Sequence, residues 1–482
     1  MTKLYFIGIG GTAMGAVALA CRQLRFEVSG SDANVYPPMS DFLRDSGITY
    51  YEGFKEDNII NANPDTIVVG NSVSRGNPEL EFALDMRMTL VSMPEIIRDY
   101  LIAKNTSIVI SGTHGKTTTS SLTAWILDSA GVNLGFLIGG IPGNYNQGCR
   151  PAPKPENGYF VSEGDEYDTA FFDKRSKFLL YKPTIVVINN LEFDHADIFS
   201  SLDDIKKSFR LFVRLIPRNG LLLAANEDEN VREIANSAFS KVETYGLRHD
   251  AFWQATDVEY SESGTTFTLL KNGNIIDKFT TYLSGEHNLK NTLAAIAVGL
   301  NIGITSTQIQ DALLTFKLPK RRLETIGIWR GCTVIDDFAH HPTAIAETLK
   351  TLKQKYPQSR IIACFEPRSN TTTRNIFQKE LPDSFRNADI VCFGALNRPE
   401  RYGQTERLDT VLIAETLRSQ GKIVQIISPV EGTSPSWGTT VFTFLEKNTK
   451  PKDVIVLLSN GDFGGLRAVL KEGIGKTINE VK

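Results

Sequence analysis

The chain has 482 residues, too many for one hydrophobic core, so two to four domains are expected. Its 41% hydrophobic and 22% charged residues are those of an ordinary globular protein, and a net charge of −3 gives no footprint for nucleic acid or an anionic membrane. No apolar run reaches transmembrane length, the N-terminus does not read as a signal peptide, and five scattered cysteines without CxxC spacing fit a reducing cytoplasm rather than a disulfide framework or zinc site.

Residues 4–8 read as a buried strand that enters the glycine turn Gly8-Ile9-Gly10-Gly11-Thr12-Ala13, followed by a helix to about Leu24 and a second strand ending at Ser31-Asp32. This is formally G-x-G-x-x-A with an acidic residue at the next strand end, the pattern of a dinucleotide site. Helices and strands alternate on through Asp65-Thr66-Ile67-Val68-Val69-Gly70, followed by the polar loop Asn71-Ser72 through Pro78. Residues 1–104 thus form one Rossmann-like α/β domain, with polar loops at the strand C-termini where open sheets bind ligands. Gly10, Gly11, Asp32 and Ser72 are its candidate substrate contacts.

The apolar run Ser107-Ile108-Val109-Ile110 leads into Ser111-Gly112-Thr113-His114-Gly115-Lys116-Thr117-Thr118-Thr119, and a helical pattern follows at Leu122, Ile126 and Leu127. A strand, a glycine-rich turn and a helix start make a phosphate site, because inward-facing backbone N–H groups and the helix N-terminus attract anions. In such a loop Lys116 reaches β- and γ-phosphates and the Thr117 hydroxyl can ligate Mg²⁺. The spacing departs from the general motif: two residues rather than four separate Gly112 from Gly115-Lys116. Two later strands end in polar clusters, Glu163-Gly164-Asp165-Glu166-Tyr167-Asp168 and Glu192-Phe193-Asp194-His195-Ala196-Asp197. Carboxylates at strand ends in the same domain suit a nucleotide-bound Mg²⁺, a hard cation that takes oxygen ligands. Residues 251–283 alternate like antiparallel hairpins with Asn272-Gly273 as a tight turn, and are expected to form a small inserted sheet. Gly285-Glu286-His287-Asn288 then starts an Ala-rich helix, where the polar groups either cap the helix or, with Asn288 and Asn291 on one face, contact ribose or base.

After a charged linker, Leu318-Pro319-Lys320-Arg321-Arg322, strands near 333–335, 360–364, 389–393, 423–427 and 453–458 alternate with helices, giving a second doubly wound sheet. Its polar loops are Asp336-Asp337-Phe338-Ala339-His340-His341-Pro342, Glu366-Pro367-Arg368-Ser369-Asn370-Thr371 and Ser459-Asn460-Gly461-Asp462-Phe463. Adjacent histidines in an extended turn point apart, which weighs against a metal site made by that pair. The domain boundaries follow as 1–104, 105–318 and 319–482. A pyridine-nucleotide oxidoreductase would explain residues 8–32 and leave the phosphate loop idle; a phosphate-loop switch protein would leave Asp194-His195 and Arg322 unexplained.

Gly112-Thr113-His114-Gly115-Lys116-Thr117-Thr118, Glu163, Asp194-His195, Gly285-Glu286-His287-Asn288, Arg321-Arg322 and Asp336 through Pro342 resemble, in order and context, the motifs of the Mur ligases, over essentially the whole chain. The resemblance implies a three-domain, ATP- and Mg²⁺-dependent amide-bond ligase of peptidoglycan synthesis, whose short phosphate loop is a family mark. It implies Lys116 on the β- and γ-phosphates, Thr117 and Glu163 on one Mg²⁺, and His195 on a second. Gly112 to Thr118, Asn288, Asn291, Arg322 and Asp337 would hold the nucleotide, Gly8 to Gly15 the UDP diphosphate, and Arg368, Ser369 and Asn370 a peptide. Other branches place a carbamylated lysine about fifteen residues after the DH histidine; here Arg210 stands there, so that device is expected to be absent. Within the family, residues 30–40, 166–178, 366–371 and 459–465 are more similar to the enzymes that join L-alanyl-γ-D-glutamyl-meso-diaminopimelate to UDP-N-acetylmuramate than to those that join L-alanine, which resemble a Q-P-H-R pattern where this chain has Glu366-Pro367-Arg368-Ser369.

Overall fold

The computed structural model describes residues 1–33, 35, 39–427 and 436–480, with side chains up to residue 475. Asn34, Tyr36, Pro37 and Pro38, part of one segment that carries the resemblance, lie outside the described residues. Three large sheets organise the described residues, beside a two-stranded one of Asp168–Ala170 and Asp173–Ser176. In the first, β1 (Lys3–Ile7), β2 (Glu27–Asp32), β3 (Thr49–Glu52), β4 (Thr66–Val69) and β5 (Leu90–Ser92) are all parallel and ordered 3-2-1-4-5. The central strands β1 and β4 are covered on both faces, so they read as continuous apolar runs such as Thr-Ile-Val-Val rather than alternating ones. Strand order reverses between β1 and β4, and the loops after them carry Gly10, Gly11 and Ser72. That is the crevice where doubly wound sheets take ligands.

The central sheet has ten strands among the described residues. Lys104–Ser111 lies inside it, between Ile185–Ile188 and Glu156–Gly164, both parallel to it, with Ser111 in register with Ile188 and with Gly164. This register is what delivers Glu163 and Asn189 to the two sides of the loop that follows Ser111. The loop runs into helix Lys116–Ser129, which packs against helix Glu286–Asn301 and buries Leu122, Ile126, Leu293 and Ile296 in one apolar cluster. The strands Trp253–Ser261, Gly264–Lys271 and Asn274–Thr281 form the expected antiparallel hairpins. Trp253 pairs in parallel with Tyr245, so the hairpins extend the parallel sheet at its edge. The Asn272-Gly273 turn forms as read, with both residues at positive φ (50° and 78°), as a two-residue hairpin loop of the primed type requires.

The third sheet orders Glu324–Trp329, Cys332–Asp337, Val454–Leu458, Ile361–Phe365, Ile390–Phe393 and Ile423–Ile426, with only the first strand antiparallel. The N-terminal unit joins the central one through helix Thr12–Gln23, whose Cys21 shares an apolar cluster with Cys149 of strand Cys149–Arg150. All five cysteines are buried and free. No described helix is long and apolar enough to cross a membrane.

Candidate active site

The phosphate loop is shaped by two glycines that side chains cannot replace. Gly112 has φ +130°, and a Cβ there would stand 2.9 Å from the Asn190 carbonyl oxygen; Gly115 has φ +80°, and its Cβ would meet Asn291 Oδ1 at 2.5 Å. The strand after Ile188 buttresses the loop. Asn190 Oδ1 accepts from the His114 backbone N–H at 2.7 Å, and Thr113 Oγ1 accepts from the Glu192 N–H at 2.9 Å. Asn189 reaches Thr119 Oγ1 at 3.1 Å and is itself oriented by the buried Tyr245 hydroxyl at 2.9 Å.

Lys116 and Thr117 face the strand-end carboxylates. Lys116 Nζ donates to the Gly112 carbonyl at 2.7 Å and to both oxygens of buried Glu166 at 2.8 and 3.0 Å. Thr117 Oγ1 donates to Glu163 Oε1 at 3.1 Å, and Glu163 Oε2 accepts from the Gly139 N–H at 2.8 Å. Burial raises the Glu163 carboxyl and outweighs the nearby Lys116 cation, so this carboxylate is short of positive charge. Asp165 is different: burial works against its charge, but Lys177, 2.6 Å away, and Lys116 hold it well below the usual range. His195 sits in the left-handed region (φ +55°) with Nε2 3.2 Å from Glu166 Oε1. Burial alone would lower its pKa, yet the Glu166 carboxylate pushes it up to about 9. Asp165, Glu166 and His195 offer ligand atoms within 4.8 Å of one another.

The third domain closes the far wall. Arg322 Nη2 donates to Thr117 Oγ1 at 3.2 Å while its guanidinium lies over the Phe338 ring. Asp337 is buried, and its oxygens accept from the Leu323 and Ala339 N–H groups at 2.6 and 2.8 Å, so it fixes the segment that carries Arg322. Thr371 donates to buried Asp194 at 2.8 Å, and Asn370 donates to Asp197 at 3.0 Å. The adjacent histidines do point apart: His340 Nδ1 faces its own Phe338 carbonyl, while His341 reaches the Phe193 carbonyl of the central domain.

A cavity of about 520 Å³ results, lined by Thr113 to Thr118, Glu163, His195, Asn288, Asn291, Arg322 and Asp337. Asn288 and Asn291 do share a helix face, joined by a 3.4 Å hydrogen bond, and Asn291 Oδ1 also accepts from Thr119. The structure does not bring Gly10, Gly11, Asp32 or Ser72 into this cavity; Asp32 Oδ2 accepts from the Gly10 N–H at 2.9 Å in the N-terminal unit, and Ser72 is exposed there. Arg368, Ser369 and Asn370 also lie outside its lining, with Arg368 3.3 Å from Glu366 and 3.8 Å from Asp462. The sequence places Asp165 and Glu166 in a carboxylate cluster suited to Mg²⁺ but singles out only Glu163 as a ligand. Their signal was two further carboxylates just past Glu163, at the end of the strand Glu156–Gly164 beside the phosphate loop. Arg210 pairs with Glu233, so the position where a carbamylated lysine would stand is engaged in an ordinary ion pair.

A phosphate loop flanked by strand-end carboxylates and completed by an arginine from a second α/β domain defines a multidomain nucleotide-using enzyme. Known families match in three consecutive parts: the Mur ligase family, catalytic domain over residues 3–105, the Mur ligase middle domain over 110–299, and the Mur ligase, glutamate ligase domain over 321–461. The chain belongs to the Mur ligase family. It is 38% identical over 479 residues to the UDP-N-acetylmuramate–L-alanyl-γ-D-glutamyl-meso-2,6-diaminoheptandioate ligase of Escherichia coli (strain K12), covering 98% of each chain. It is 32% identical to a UDP-N-acetylmuramate–L-alanine ligase of Clostridium botulinum, covering 95% of each. Among solved structures, the murein peptide ligase of Psychrobacter arcticus 273-4 is 34% identical, with a TM-score of 0.72 over 98% of this chain and 99% of that one.

Proposed function

We propose that this chain is an ATP-dependent ligase that joins the tripeptide L-alanyl-γ-D-glutamyl-meso-diaminopimelate to UDP-N-acetylmuramate, forming a C–N bond in peptidoglycan recycling and releasing ADP and phosphate. The observation that carries the choice of acceptor is the 38% identity over nearly the full length to a ligase of that name, against 32% to an alanine-adding one. A cytoplasmic location goes with this reading: the five buried, unpaired cysteines agree with a reducing compartment.

A carboxylate is a poor electrophile, so the γ-phosphoryl group of ATP is first moved to the lactyl carboxylate; the peptide amine then attacks the acyl phosphate, and phosphate leaves. Positioning and charge neutralisation carry such a reaction, without a nucleophilic side chain. Lys116, at the helix start, holds the β- and γ-phosphates after exchanging Glu166 for them. Arg322 adds a second cation from the opposite wall, and Asn288 and Asn291 orient the nucleoside. The donor set fits Mg²⁺: the Thr117 hydroxyl and Glu163 carboxylate lie together as oxygen ligands, and His195 with Glu166 and Asp165 makes a second set. When bound, Mg²⁺ supplies neutralisation of phosphate charge. Gly10, Gly11, Asp32 and Ser72 at the strand-reversal crevice receive the UDP-sugar, and Arg368, Ser369 and Asn370 face the peptide. The functional division is thus 1–104 for UDP-sugar, 105–318 for ATP and 319–482 for peptide.

The deciding experiment measures phosphate release with ATP, Mg²⁺ and UDP-N-acetylmuramate, with either the tripeptide or L-alanine as acceptor. Tripeptide-dependent release is expected; release that responds only to L-alanine would replace this reading with the alanine ligase.

A further inference from the structure

His114, Glu192 and His341 form a second cluster of metal-ligand type, sharing no residue with the carboxylate and His195 group. Its three donors come from separate segments: the phosphate loop, the segment after Ile185–Ile188, and the N-cap of helix Pro342–Lys355 in the C-terminal domain. Hydrogen bonds fix the protons on His341. Nε2 lies 3.2 Å from the Phe193 carbonyl, which only accepts, so Nε2 carries the hydrogen. Nδ1 carries the lone pair and accepts the Thr343 N–H at 3.3 Å, a long hydrogen bond that a metal on Nδ1 would have to displace. That same lone pair stands 3.3 Å from Glu192 Oε2. Neutral His341 and the Glu192 carboxylate gain nothing from this approach; a proton on Nδ1 or a cation beside both atoms would make it favourable. His114 Nε2 is 3.1 Å from the same oxygen.

Two of the three donor separations, 3.1 and 3.3 Å, are close to those of a coordination sphere. Ligands at about 2.1 Å in a tetrahedral arrangement stand about 3.4 Å apart. The three ligand atoms lie within 4.8 Å of one another on the cavity wall, where an ion can enter. The side chains are held in advance: the His114 backbone is pinned by Asn189 and Asn190, and the His341 ring rests edge-on against Phe377. Two imidazole nitrogens and one carboxylate select a borderline transition metal over Mg²⁺, which prefers oxygen throughout.

We propose that His114, Glu192 and His341 bind a divalent transition metal of the zinc class, which staples the C-terminal domain to the phosphate loop. Coordination needs no redox step; a ring nitrogen that carries a proton releases it to solvent. The site is probed on the full-length protein with Co²⁺ in excess Mg²⁺, followed by Zn²⁺ competition, without nucleotide or peptide, so its failure is distinct from failure of the ligase reading. One equivalent of Co²⁺ is expected to give the intense visible absorption of a tetrahedral site, abolished by Zn²⁺. His341→Gln and His114→Gln, one variant in each domain, should each weaken Co²⁺ binding by about tenfold or more, whereas His195→Gln should leave it unchanged. An octahedral spectrum or none in the unmodified protein would overturn the proposal. So would a tetrahedral spectrum that survives the first two variants or disappears in the third.

Discussion

Arg322 Nη2 lies 3.2 Å from Thr117 Oγ1, although 205 residues separate them, so the C-terminal domain sets a cation directly on the hydroxyl at the start of the phosphate-loop helix. The contact pairs a group expected to meet the nucleotide with one expected to ligate its metal. Arg322→Ala should lower kcat by about 10²-fold, the loss of one charge-stabilising donor to a transferring group, with little change in thermal stability. Arg322→Lys should recover only part of it, because a point charge cannot donate in the same fork. Steady-state phosphate release with tripeptide acceptor measures both.

Lys116→Ala should abolish phosphate release and keep the fold. The buried Glu166 loses its main partner but retains His195 at 3.2 Å, so the stability cost is expected at the lower end for a broken buried pair, about 3 kcal/mol. Adding Glu166→Gln should recover most of the thermal stability and none of the activity. Undiminished turnover in Lys116→Ala would remove the phosphate-loop assignment.

Gly461 gives a test of the peptide side that leaves Arg368 itself unchanged. A Cβ at 461 would stand 2.4 to 2.6 Å from Cδ, Nε and Cζ of Arg368, so Gly461→Ala must push the guanidinium aside. Gly461→Ala and Arg368→Ala should both raise KM for the tripeptide by about tenfold or more, a lost charged hydrogen bond being about 1.5–3 kcal/mol. KM for ATP should not move. Equal effects on both substrates would place Arg368 elsewhere than at the peptide.

Glu243 supplies a pH test remote from the cavity. It is buried where the parallel strands meet the hairpins, accepting from Trp253 Nε1 at 2.7 Å and Asn301 Nδ2 at 2.9 Å. Burial alone would raise its pKa, but Lys241 and these donors hold it below the usual value. A group with a depressed folded pKa contributes stability above its unfolded pKa, about 4.3, and that contribution is lost as pH falls through the folded value. The Tm gap between the unmodified protein and Glu243→Gln should therefore be largest near neutral pH and close as the pH drops below about 4.

Much of the fold was legible because buried parallel strands announce themselves as Ile/Val runs, and their polar ends at Glu163, Asn189 and Asp337 mark where side chains gather. The hairpins at 253–281 were also legible as hairpins. Their attachment to the main sheet was not, because the parallel pairing of Tyr245 with Trp253 leaves no local pattern in either strand. His340 and His341 were read correctly as divergent neighbours. That His341 meets His114, with ring centroids 4.6 Å apart, depends on how two domains dock, which no spacing along one chain encodes. Lys116 was read as a phosphate ligand; its exchange partner Glu166 emerged only from the strand register that sets Gly164 beside Ser111.

The connector that carries Arg322 is anchored on both sides. The Lys320 N–H donates to the Ile141 carbonyl of the central domain at 3.1 Å, whereas the Arg321 carbonyl accepts from Phe338 and its N–H is held by Glu324. Any swing of the C-terminal domain therefore pivots between residues 320 and 321, one step from Arg322. Near an axle, displacement is small. In such a swing Arg322 would move least and keep its place beside Thr117, while His341 and Thr371, farther along the chain, are the contacts that would have to let go.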